Sequence, residues 1–152
     1  MRVTLSKIRS LNQQQWLVFF YALILLPGCA FSLHFRGFKR TRAELMPRAG
    51  RCSSLRTGHD ESRARQIARA VDLAARYGPY RANCLKRSLV LGYFLTKNDI
   101  TCDLILGAEI TDQGTAAHAW VEYFGVVLND RQDVGQRFNA FLETSTKSQN
   151  YE

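Results

Sequence analysis

Cys84, His118 and Asp130 have the types and the order that nucleophilic acyl transfer needs: a thiol, a base and a carboxylate. The thiol stands in "RANCLKRSLVLGYFL", residues 81–95, where Asn83 reads as the opening of an apolar helix and Cys84 falls in its first turn. A thiol at that address sees unpaired backbone N–H groups and the positive end of the helix dipole, both of which favour the anionic sulfur. Arg81, Lys86 and Arg87 add positive charge beside it. The same N–H groups can hold the oxyanion that forms when a thiolate attacks a carbonyl. A lone cysteine is more often an inert small hydrophobe, so the pattern has chemical meaning only with a base in reach.

His118, in "TAAHAWVEYFGVVLND", is the candidate base. It is expected to open a strand that packs against the cysteine helix, whereas His34 lies among aromatic residues of the front segment and His59 at the edge of a polar stretch. Asp130 is expected to end the following strand. A hairpin loop with an odd number of residues, such as Tyr123-Phe124-Gly125, sets His118 and Asp130 across from each other on one face. There the carboxylate orients the imidazole and stabilises its protonated form. An even loop would place them on opposite faces. Cys52 and His59 lack two further ligands for a metal site, and neither a metal nor a cofactor is expected.

The elements that must position these residues begin with one domain's worth of chain. At 152 residues the protein has enough length for one core, and 46% hydrophobic with 11% aromatic residues excludes a disordered chain. Charge is unevenly spread: residues 1–58 carry a net +9, 59–100 a net +4 and 101–152 a net −5. A basic front half suits nucleic acid, an anionic membrane surface or an acidic peptide. Its arginines are scattered among apolar residues with no RNA-recognition or zinc-finger pattern, so nucleic acid is not an expected partner. Cys29, Cys52, Cys84 and Cys102 show no C-x-x-C spacing, hence neither a disulfide framework nor a zinc signature. Reduced thiols and a cytoplasmic location are expected.

Residues 1–50 read as an apolar and basic helical segment for partner docking. "MRVTLSKIRS" is followed by eleven apolar residues, 16–26, and then "LPGCA", a layout similar to a secretion signal with a lipoprotein-like cysteine at Cys29. Pro27 is ill placed for such cleavage, and "AFSLHFRGFKRTR" is apolar and basic where a polar tether belongs. Eleven residues also fall short of the ~20 a membrane span needs. The expectation is a buried helix broken at Pro27-Gly28, then an amphipathic segment with Phe31, Phe35 and Phe38, whose basic and aromatic faces fit a membrane surface. Residues 51–58 read as a linker. In residues 59–152, "DESRARQIARAVDLAARYGP" is a helix capped by Asp60 and stopped at Gly78-Pro79, and a second helix runs from Asn83 to about Lys97, buried on most sides. "CDLILGAEI", "AHAWVEY" and "VVLND" then form a three-stranded antiparallel meander. The fold class is α+β, with a central cysteine-bearing helix packed on a small antiparallel sheet.

"CLKRSLVL", then "LILGAEI" and "HAWVEYFGVVLND", behind an Arg-rich apolar front segment, resembles the stand-alone leader peptidases of lasso-peptide biosynthesis, members of the transglutaminase-like, papain-related superfamily. The most specific parts are "CL-x-RSL" and "HAWVE" with the Asp twelve residues beyond the His; "HAW" alone points only to the wider superfamily. The resemblance implies a papain/transglutaminase-like fold and a cysteine protease that removes the leader from a ribosomally made precursor, so that a macrolactam-forming cyclase can close the ring. It implies Cys84 as nucleophile, His118 as general base and then acid, and Asp130 as orienter. It also implies a separate leader-recognition protein, since residues 1–58 carry no winged-helix pattern of strands.

Three other readings fit the same residues. One is a catalytically silent, partner-binding scaffold of the same fold. Another is an exported or membrane-attached protein anchored at Cys29. The third is a transamidase or deamidase, because one acyl-thioester intermediate serves hydrolysis and transamidation alike.

Overall fold

In the computed structural model, which describes residues 11–47, 58–111 and 114–143, Asn12 starts the first helix, α1 (Gln13–Leu45). Its side chain accepts from the Gln15 N–H at 2.8 Å while the Gln15 side chain accepts from the Asn12 N–H at 2.9 Å, a reciprocal cap. The expected break at Pro27 is absent. A proline inside a helix forfeits one backbone hydrogen bond, but Phe19, Ala22, Leu26 and Cys29 are buried along one face against α2 (Gly58–Tyr77) and α3 (Cys84–Lys97), and that packing carries the helix through. The break comes instead at Gly37, whose φ of 77° and ψ of 171° suit a residue without Cβ. Across this kink the Ser32 and Thr41 hydroxyls bond at 2.9 Å and Arg36 pairs with Glu44 at 2.8 Å. Nor is α1 buried all round, since Phe20, Ile24 and Phe31 on its outer face are exposed.

Helix α2 begins two residues before Asp60, so Asp60 and Glu61 occupy its first turn and complement the dipole there, where the sequence had suggested Asp60 as the cap. Ala64, Ile67, Val71 and Ala74 form its buried face, and it ends before Gly78. The expected linker lies outside the described residues up to position 57; Gly58 is already helical. Asn83 caps α3, its side chain accepting from the Lys86 N–H at 3.1 Å. Leu89, Val90, Leu91 and Leu95 are fully buried in one core with Leu26 of α1 and Val71 of α2. Met46, at the end of α1, lies against Gly92 of α3, where any Cβ would collide with the thioether.

A four-stranded antiparallel sheet follows: β1 (Asp103–Thr111), β2 (Gly114–Tyr123), β3 (Val126–Val127) and β4 (Asn139–Glu143), in the order β3-β2-β1-β4. The meander expected from sequence is its first three strands. The fourth, reached through the single turn of α4 (Val134–Arg137), was not anticipated, because "FNAFLE" is short and follows a helical turn. Leu104, Val121 and Tyr123 join the helical core, while Ile105, Trp120, Val127, Val134 and Phe138 form a second cluster. The result is an α+β fold of four helices and a small curled antiparallel sheet, with α3 between the helical layer and β2.

Candidate active site

Cys84 is the first residue of α3 and is half-buried. Among the described residues its thiol makes no hydrogen bond. Two of the three charges expected beside it are engaged elsewhere: Lys86 donates to the Tyr80 hydroxyl at 2.8 Å, and Arg87 pairs closely with Asp72, which also holds Arg76 at 2.8 Å. Cys29 and Cys102 are buried, and burial pushes their thiols up to about 11 and about 12. Neither is suited to act as a nucleophile near neutral pH. Cys52 lies outside the described residues.

His118 sits within β2 and not at its start. Its ring stacks on Phe138 at 4.7 Å between centroids and on Trp120 at 6.2 Å. Gly107 lies opposite His118 across the β1–β2 pair, and a Cβ there would come within 2.9 Å of the Trp120 ring and 3.0 Å of the Phe138 Cβ. The glycine leaves room for the two rings that hold the imidazole.

His118 Nε2 meets Asp130 Oδ2 at 2.6 Å. The hairpin parity expected to allow this is wrong. Tyr123 pairs with Val126 around the two-residue turn Phe124-Gly125, both at positive φ, so the loop is even. An even loop separates 118 from 130 only while the ladder continues, and β3 stops after two residues. One further backbone bond follows, from the Leu128 N–H to the Val121 carbonyl at 3.0 Å. Its return bond is taken over by a side chain, Asn129 Oδ1 accepting from the Val121 N–H at 2.9 Å, and the chain turns so that Asp130, which belongs to no strand, reaches the imidazole.

Two residues missed in the sequence hold this arrangement. The Asn129 amide donates to Ser88 Oγ at 2.8 Å, and the fully buried Ser88 hydroxyl donates to the Ala119 carbonyl at 3.0 Å. Ser88 is one helical turn beyond Cys84, Ala119 follows His118, and Asn129 precedes Asp130. One buried polar network therefore ties together the segments bearing all three candidate residues. A buried serine in an otherwise apolar helix face was the available signal.

Burial pushes the Asp130 carboxyl up, but the Arg131 N–H at 2.7 Å, the His118 ring and the nearby Arg87 charge outweigh it and hold the group below its ordinary 3.8. A carboxyl lowered by folding stabilises the native state above its unfolded value and loses that contribution as pH falls through the folded one. Wild type should therefore exceed Asp130→Asn in urea-unfolding stability at about pH 5, and the margin should close towards pH 2. A margin that widens on acidification contradicts this assignment. With Nε2 facing Asp130, Nδ1 is the nitrogen left to take a proton from a thiol. No group of three or more His, Cys, Asp or Glu side chains suited to a metal occurs among the described residues.

Thus the structure brings His118 and Asp130 into direct contact and joins the Cys84 turn to them through Ser88 and Asn129. A family model described as "Transglutaminase-like superfamily" matches residues 26–143. No curated protein and no solved structure matches the chain.

Proposed function

The chain belongs to the transglutaminase-like superfamily, and within it we propose a cysteine peptidase that removes the leader peptide from a ribosomally made lasso-peptide precursor in the cytoplasm. The observation that carries the peptidase reading is the 2.6 Å His118–Asp130 contact, on a strand packed against a helix that begins with Cys84. In this reading Cys84 gives its proton to His118 Nδ1 and attacks the scissile carbonyl. Backbone N–H groups at the start of α3 face the developing oxyanion. The imidazolium, steadied by Asp130, returns the proton to the departing amine, and water then hydrolyses the thioester. The lasso-peptide assignment is supported by "CLKRSL" and by "HAWVE" with its Asp twelve residues on. The precursor, a separate leader-recognition protein and the macrolactam-forming cyclase are the corresponding partners.

The test is to incubate the full chain with precursor, with and without the leader-recognition protein, and to weigh the products. Cleavage at a single leader–core junction, slow alone and accelerated by the recognition protein through raised effective concentration, is the expected result. Intact precursor under both conditions overturns the leader-peptidase assignment. A product heavier by an added amine, or lighter by no peptide at all but with one glutamine converted to glutamate, identifies a transamidase or deamidase instead.

A further inference from the structure

A helix that is apolar all round is ordinarily buried all round. Helix α1 is not. Phe19, Ala22, Leu26 and Cys29 face α2 and α3, but Leu17, Phe20, Tyr21, Ile24, Phe31 and Phe35 stand on the opposite side, each 56–72% exposed. Their spacing follows the helical repeat, so they form one stripe about 27 Å long at 1.5 Å per residue. Four are aromatic, and at roughly 150–250 Å² per aromatic side chain the stripe reaches the size at which an exposed patch on a monomer marks a contact surface.

We propose that this stripe seats the protein on an anionic lipid surface, with α1 lying in the plane of the interface. The charge around it selects that occupant. The one acidic residue of α1, Glu44, folds back across the kink and is neutralised by Arg36 at 2.8 Å. None precedes it in sequence, whereas Arg2, Lys7 and Arg9 precede the helix and the exposed Lys39 and Arg40 follow the stripe. Apolar side chains flanked by cations are what an interfacial helix offers to the boundary between anionic headgroups and acyl chains. The stripe itself carries no carboxylate or amide that would order a particular protein partner. Crossing the bilayer would instead require α1 to leave the core it shares with α2 and α3, which includes Leu26 at 1% exposure and Ala22 at 0%. The layering also suits surface attachment: α1 packs on α2 and α3, and the sheet packs on α3, so His118 and Asp130 lie beyond the helical layer from the stripe and remain open to a soluble peptide.

The experiment is flotation of the full chain with vesicles of pure phosphatidylcholine and with vesicles of equal parts phosphatidylcholine and phosphatidylglycerol. The protein should float with the mixed vesicles and much less with the neutral ones. Phe20→Ser, Ile24→Ser and Phe31→Ser combined should lower partitioning by about tenfold or more while circular dichroism stays unchanged, because none of the three is buried. Lys39→Glu with Arg40→Glu should weaken binding to the mixed vesicles only. Wild type that stays with the soluble fraction, or a triple variant that floats as well as wild type, overturns the proposal. Self-association of wild type that the same three substitutions abolish, without vesicle binding, assigns the stripe to a second copy and equally overturns it.

Discussion

Cys84→Ala should lower precursor cleavage by on the order of 10⁴-fold or more, to background, because no other described thiol can take over. Cys29 and Cys102 are buried with their thiols pushed up to about 11 and about 12, and alanine at either should leave turnover intact if the fold tolerates the small cavity. His118→Ala should cost a comparable factor, since nucleophile and base act as a unit. Asp130→Asn should cost less, because the amide keeps contact with the ring but no longer stabilises the imidazolium. Product formation over time, followed by mass spectrometry with folding checked by circular dichroism, measures all five variants. A Cys84→Ala variant that cleaves at the wild-type rate removes the thiol from the mechanism.

Trp120→Ala should be the most damaging single truncation in the sheet, costing about 3–5 kcal/mol out of the ~5–15 kcal/mol that holds a typical domain together. The indole is 1% exposed, is the largest fully buried side chain among the described residues, and donates to Glu122 at 2.8 Å. It also stands beside the His118 ring and over Gly107. Its loss should therefore lower the urea midpoint and, at temperatures where the variant remains folded, also slow cleavage by loosening the imidazole. Trp120→Phe should restore most of the stability by refilling the volume. A Trp120→Ala midpoint within experimental error of wild type would show that the second cluster contributes little.

Much of this architecture is readable from local chemistry. Asn83 before an apolar run announces the start of α3, and the Asp60–Tyr77 pattern announces α2, because caps and helical periodicity act over a few residues. His118 and Asp130 were identifiable by residue type and spacing, but the reason offered for their contact was wrong. Parity arguments presume a continuing ladder, and here Asn129 ends it with side-chain bonds. Pro27 misled for a related reason: its local penalty is real, but the tertiary packing of Phe19, Leu26 and Cys29 overrides it. The actual kink at Gly37 lay in an unremarkable "RGF". Strand β4 and the stacking of Phe138 on His118 depend on pairing with β1 across some thirty residues of chain, a distance at which local pattern carries no signal.

The most direct test of the central claim is to quench a cleavage reaction with acid during turnover and map the enzyme's adducts by mass spectrometry. A Cys84 nucleophile should carry an acyl group, equal in mass to the part of the substrate before the cut, on the peptide that contains it, lost on treatment with hydroxylamine and absent from His118→Ala. An adduct on Cys29, Cys52 or Cys102, or cleavage that proceeds with no acyl-enzyme in His118→Ala and wild type alike, would contradict it.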